Sequence, residues 1–181
     1  MRSAERTTQG DADGLCGIYC LINAMRDWNL ESKVRDADRE AFRYLMRSGE
    51  RLNLLTPDRL HDGFEWHELT EIFNLTAKTL REPFKAVPFV DITKQTNLVL
   101  SEEFLPIVFE QKGKAVISID HGEHWVLATR MQGKKSVAVI DPSRRSTRSS
   151  VPIKSIDSNH TGLAILPLSA TLKLIFNAQT H

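Results

Sequence analysis

The chain has 181 residues, 41% of them apolar, together with 9 glycines, a composition that suits a folded domain and excludes disorder along the whole length. Its 24 basic and 23 acidic side chains leave a net charge of +1, so no global field draws it to nucleic acid or to anionic lipid. The longest apolar runs, such as Ala115–Ile117 and Trp125–Ala128, fall far short of the ~18 residues that a membrane span needs.

From Met1 to Gln9 basic residues are followed by no apolar core, so no secretory signal is expected and the cytosol is the default compartment. The length fits one domain over residues 1–181. Asp11-Ala12-Asp13-Gly14 reads as a turn, and Ile18, Leu21, Ile22 and Met25 predict a buried helix from Leu15 to Trp28. A second helix is predicted from Lys33 to Arg47, ending before Ser48-Gly49. Thr56-Pro57-Asp58 and Asp62-Gly63 punctuate the middle, and Trp66, Leu69, Ile72 and Phe73 mark a third helix up to Leu80. From Val87 the period shifts to two. Val87–Ile92 and Ala115–Ile119 are predicted strands on either side of a helix over Glu102–Gln111 that holds Pro106. Trp125–Met131 and Ser136–Ile140 flank Gln132-Gly133-Lys134-Lys135, a hairpin signal, and short strands follow near Val151–Ile153 and Gly162–Leu166. Helices first and an antiparallel sheet afterwards make an α+β pattern.

Cys16 and Cys20 stand four residues apart on the first helix. The chain is no short, Cys-dense secreted domain, so a reduced pair is expected rather than a disulfide. Zinc needs about four ligands and no second Cys pair exists. A thiol at the start of a buried helix sits where unpaired N–H groups and the helix dipole favour its thiolate, and Cys16 has that place. The alternative is an inert buried thiol. Cys20, one turn deeper beside Leu21 and Ala24, reads as core. Gly14 and Gly17 flank Cys16 and leave room for a substrate backbone to approach.

A nucleophilic Cys needs a base, and His124 opens a strand directly after Asp120-His121-Gly122-Glu123. If the following turn is centred on Gly133-Lys134, opposing residue numbers sum to 267 and Val126 faces Asp141. His124 shares that parity, which makes it a diagonal neighbour of Asp141 on one face, at roughly 7–8 Å between backbones. A carboxylate there fixes the tautomer of the base and stabilises the imidazolium. A one-residue slip would put the two on opposite faces. His121-x-x-His124 on extended backbone points its rings apart, and His61, Glu65 and His67 make no stronger set, so neither metal nor cofactor is expected. Arg144, Arg145, Arg148 and Lys154 lie in a polar loop without acids, read as solvated surface or as a contact for an acidic substrate face.

Gln9, then Asp13-Gly14-Leu15-Cys16-Gly17, then His124-Trp125-Val126-Leu127, then Val137-Ala138-Val139-Ile140-Asp141-Pro142, resemble the papain-like cysteine peptidases in their Cys, His, Asp order. The pattern is closest to the double-glycine leader peptidases that process bacteriocins, over about residues 9–24 and 115–143. The resemblance implies a papain-like fold and a peptidase with Cys16 as nucleophile, His124 as general base and acid, and Asp141 as the orienting group. It also implies Gln9 as the side-chain donor of the oxyanion hole, although Gln9 stands seven residues before Cys16 where six is usual. Gly14, Trp125, Arg144 and Arg145 are the candidates for substrate contact, and the implied partner is a protein or peptide. Leu15-Cys16-Gly17-Ile18-Tyr19-Cys20 is also similar to proteases of ubiquitin-like modifiers, in which the His block precedes the Cys, and Asp13-Gly14-Leu15-Cys16 to ovarian-tumour-type deubiquitinases. Josephin-type deubiquitinases share the chain order. A deubiquitinase, a secreted effector, a thiol acyltransferase or amidase, and an inactive binding module on the same fold are the alternatives. Oligomeric state is not legible.

Overall fold

A computed structural model describes residues 14–27, 37–89, 104–119, 124–143, 148–156 and 162–170 of the chain. Their elements run α1 (Cys16–Asp27), α2 (Ala37–Arg51), α3 (Pro57–Asp62), α4 (Trp66–Leu80), β1 (Phe84–Pro88), α5 (Phe104–Glu110), β2 (Lys114–Ile119), β3 (His124–Met131), β4 (Ser136–Ile140), β5 (Ser150–Pro152), a 3₁₀ turn (Ile153–Ser155) and β6 (Gly162–Pro167). The strands form one six-stranded sheet in the order β1-β6-β2-β3-β4-β5, and every neighbouring pair is antiparallel. The α+β architecture is therefore present, with helical and sheet halves in the expected chain order.

The departures have local causes. The second helix does not stop at Ser48-Gly49. Ser48 is buried and accepts a 2.8 Å hydrogen bond from Thr76 of α4, while the side chains of Leu55 and Ile72 fill the space beside Gly49, so contact with α4 carries the helix on to Arg51. Thr56-Pro57-Asp58, read as punctuation, starts α3 instead: the Thr56 hydroxyl caps the Arg59 N–H at 3.2 Å, and Pro57 takes the first turn, where no N–H partner is needed. β1 begins at Phe84, three residues before the expected Val87, because Ala86 docks on α4 through both its backbone groups, at 2.8 and 3.0 Å from Asn74. Pro106 falls in the first turn of α5 and is tolerated there for the same reason as Pro57. Residues 11–13, Trp28, residues 33–36, 90–92 and 102–103 of the expected elements lie outside the described residues.

Both faces of the sheet are covered. Trp125 and Leu127 of β3, with Val116, Leu163 and Ile165, pack against α1, α2 and α4. Val126 and Ala128, with Ala115, Ile117, Ala164 and Leu166, join Phe104, Leu105 and Val108 of α5 in a second cluster. That is why Trp125–Ala128 is a continuous apolar run rather than an alternating one: a central strand buried on both sides has no face left for polar residues.

Candidate active site

The site assembles where α1 begins and where the β3–β4 hairpin is open. Cys16 is the first residue of α1 and is 7% exposed. His124 is the first residue of β3, and Asp141 is the first residue beyond β4, 2% exposed. His124 Nε2 and Asp141 Oδ1 are 2.8 Å apart. A carboxylate can only accept, so Nε2 carries the hydrogen and Nδ1 is the nitrogen left to face a thiol. The Cys16 thiol lies within hydrogen-bonding reach of that ring. Asp141 Oδ1 also accepts the Ser143 N–H at 2.9 Å, a local turn that helps to hold the carboxylate in place.

Burial by itself lowers the pKa of the His124 ring. The hydrogen bond to Asp141, then the one to Cys16 and the negative charge of both groups, outweigh it and raise the pKa from 6.5 to about 9. At neutral pH the imidazolium form is thus favoured beside the thiol. Cys20 is opposite in character. Fully buried, it is pushed well above the ordinary thiol value by desolvation and by the nearby Cys16 and Asp141, and its thiol donates to the Trp125 carbonyl at 3.4 Å. Both thiols are unbridged. The arrangement offers one thiol beside a proton-exchanging base, which suits addition to a carbonyl; among the described residues no group of His, Cys, Asp or Glu side chains could hold a metal ion.

The remaining candidates divide. Gln9, Arg144 and Arg145 lie outside the described residues, as do His121 and Glu123. Trp125 is 6% exposed and turned inward, its indole N–H donating to the Phe64 carbonyl at 3.0 Å, so it is a core residue rather than a substrate wall. The room beside Gly14 and Gly17 is likewise taken. A Cβ on Gly14 would stand 2.4 Å from the Gly63 nitrogen and 2.5 Å from the His61 oxygen, and one on Gly17 would stand 2.6 Å from Leu69 Cδ1. Both glycines serve internal packing. His61 is exposed and bonded to Asp62 at 2.7 Å, and His67 lies edge-on to Trp66 with ring centroids 5.3 Å apart.

The Leu60–Phe64 segment is the part that sequence reading missed. It meets the site through main-chain groups, which leave no mark in residue type. Comparison with family models, with curated proteins and with solved structures returns no significant match. No helix among the described residues is long and apolar enough to cross a membrane.

Proposed function

We propose that the protein is a cysteine peptidase of papain-like type that hydrolyses a peptide or isopeptide bond through a thioester on Cys16. The observation that carries this reading is the contiguous Cys16–His124–Asp141 constellation, drawn from a helix start and two strand ends far apart in sequence. In this reading Cys16 Sγ adds to the scissile carbonyl carbon, and its proton resides on His124. The oxyanion is held by the Cys16 backbone N–H and by the Gln9 side chain that the resemblance assigns. As the C–N bond breaks, His124 delivers its proton to the leaving amine, and the acyl group stays on sulfur. A water then gives a proton to His124 and adds to the thioester, and collapse expels the Cys16 thiolate beside the imidazolium and releases the carboxylic acid, whose proton passes to solvent. Asp141 keeps the ring in the working tautomer throughout. Two unbridged cysteines suit a reducing compartment, so the cytosol is the proposed place of action.

The test is a mass-spectrometric profile of new peptide termini generated in a protein mixture by the wild-type chain and by Cys16→Ala. Cleavages present with the first and missing with the second are expected. No difference between the two, together with equal alkylation of Cys16 and Cys20, would overturn the reading in favour of a binding module.

A further inference from the structure

We propose that Trp125 is a positioning residue, and that it acts by tying His124 to the Leu60–Phe64 segment that also holds the start of α1. The inference rests on the Cys16–His124 pair proposed above. Those two side chains come from distant parts of the chain, and a pair that exchanges a proton must be held to within a fraction of an ångström, since a 1 Å misplacement can cost about 100-fold.

One short stretch touches both partners' neighbours. On the cysteine side, the Gly14 N–H donates to the Leu60 carbonyl at 2.8 Å, two residues before Cys16. Gly14 and Gly63 meet face to face: Gly63 sits at φ 97°, and a Cβ on it would stand 3.0 Å from the Gly14 oxygen. Backbone lies against backbone here, an approach that side chains on either residue would block. On the histidine side, the residue after His124 reaches the same stretch, through the Trp125 indole N–H on the Phe64 carbonyl at 3.0 Å. Phe64 and Trp125 are 3% and 6% exposed, so water does not replace this bond. The Trp125 carbonyl is held in turn by the Cys20 thiol, one turn along α1 from Cys16. Leu60–Phe64 is thus a common anchor for the two halves of the site, and the indole N–H is its link to the base.

The test replaces Trp125 by Phe, which keeps an aromatic ring and removes the N–H. Labelling of the full-length protein by iodoacetamide at about pH 6 is read separately at Cys16 and Cys20, with His124→Ala as the reference and Trp66→Phe as a control in a tryptophan outside the link. Trp125→Phe is expected to slow Cys16 labelling about 3- to 10-fold, in line with the loss of one hydrogen bond, while Cys20 stays unlabelled and Trp66→Phe has no effect. Labelling of Cys20 in Trp125→Phe would mean that the tryptophan merely supports the core, and would overturn the inference. So would unchanged Cys16 labelling in Trp125→Phe when His124→Ala slows it. If His124→Ala changes nothing either, the Cys16–His124 pair itself fails, and the positioning role fails with it.

Discussion

At the scale of residues, the Asp141 carboxylate is the group on which the behaviour of His124 depends. It is almost fully buried, accepts from His124 Nε2 and from the Ser143 N–H, and, together with Cys16, keeps the ring protonated up to about pH 9 against the effect of burial. Asp141→Asn retains a hydrogen-bond acceptor but removes the charge, so the His124 pKa is expected to fall from about 9 toward 6.5, read by NMR titration of the ring nitrogens. A stability window follows from the sign of this shift. A histidine whose folded pKa is raised contributes stability that is fully present below its unfolded pKa, near 6.5, and is lost as pH rises through about 9. The melting temperature of the wild type is therefore expected to decline between those values, by about 2–4 °C for each kcal/mol lost. Asp141→Asn should flatten that decline, and an equal decline in both proteins would show that another group is responsible.

At the scale of elements, the β3–β4 hairpin brings His124 and Asp141 together by a route that differs from the expected one. The turn is centred on Lys134 rather than on Gly133-Lys134: Gln132 donates to the Ser136 carbonyl at 2.8 Å, and Met131 pairs with Val137. On that register alone Asp141 would face the neighbour of Val126 and the parity would fail. A bulge at Thr129, between the Ala128 and Arg130 pairings, absorbs one residue of β3 and restores Leu127 opposite Ile140. Gly133 holds the turn at φ 70° with nothing within 4 Å of a Cβ, so Gly133→Ala should cost about 1–2 kcal/mol from conformation alone. The glycines around Cys16 differ in kind. At Gly17 an added methyl meets the flexible end of Leu69, and the gain in helix propensity offsets part of the overpacking, so Gly17→Ala should cost less than about 2 kcal/mol. At Gly14 it meets backbone on two sides, and Gly14→Ala should cost about 4 kcal/mol or more. Urea unfolding of the three variants ranks them, and a Gly14→Ala protein as stable as Gly17→Ala would contradict the docking described.

At the scale of the whole molecule, β2 and β3 supply side chains to both apolar clusters, so neither layer of helices can loosen alone without exposing the sheet that supports the site. Phe104 of α5 is fully buried on the face away from α1, edge-on to Phe89 with ring centroids 5.4 Å apart. Phe104→Ala should remove about 3–5 kcal/mol. Because the sheet is shared, labelling of Cys20 in the opposite cluster should accelerate about 100-fold or more, each 1.4 kcal/mol being a tenfold change. Unchanged Cys20 labelling would mean that the two clusters unfold independently.

The sequence by itself determined the helix-then-sheet order and the helical face of α1 with Cys16 at its head, whereas the nearness of His124 to Asp141, expected from the hairpin parity, holds through the Thr129 bulge. The first two rest on periodicity and side-chain chemistry, which are written in residue types. It did not show the continuation of α2 past Gly49, the capped start of α3, the Thr129 bulge or the covering of the sheet on both faces. Those outcomes depend on which surfaces meet, as with Ser48 on Thr76 or Ala86 on Asn74. The Leu60–Phe64 contacts were decided by tertiary structure, since on that segment they run through carbonyls and N–H groups that every residue but proline shares, and the order of side chains does not distinguish which of these the Trp125 indole and Gly14 will use.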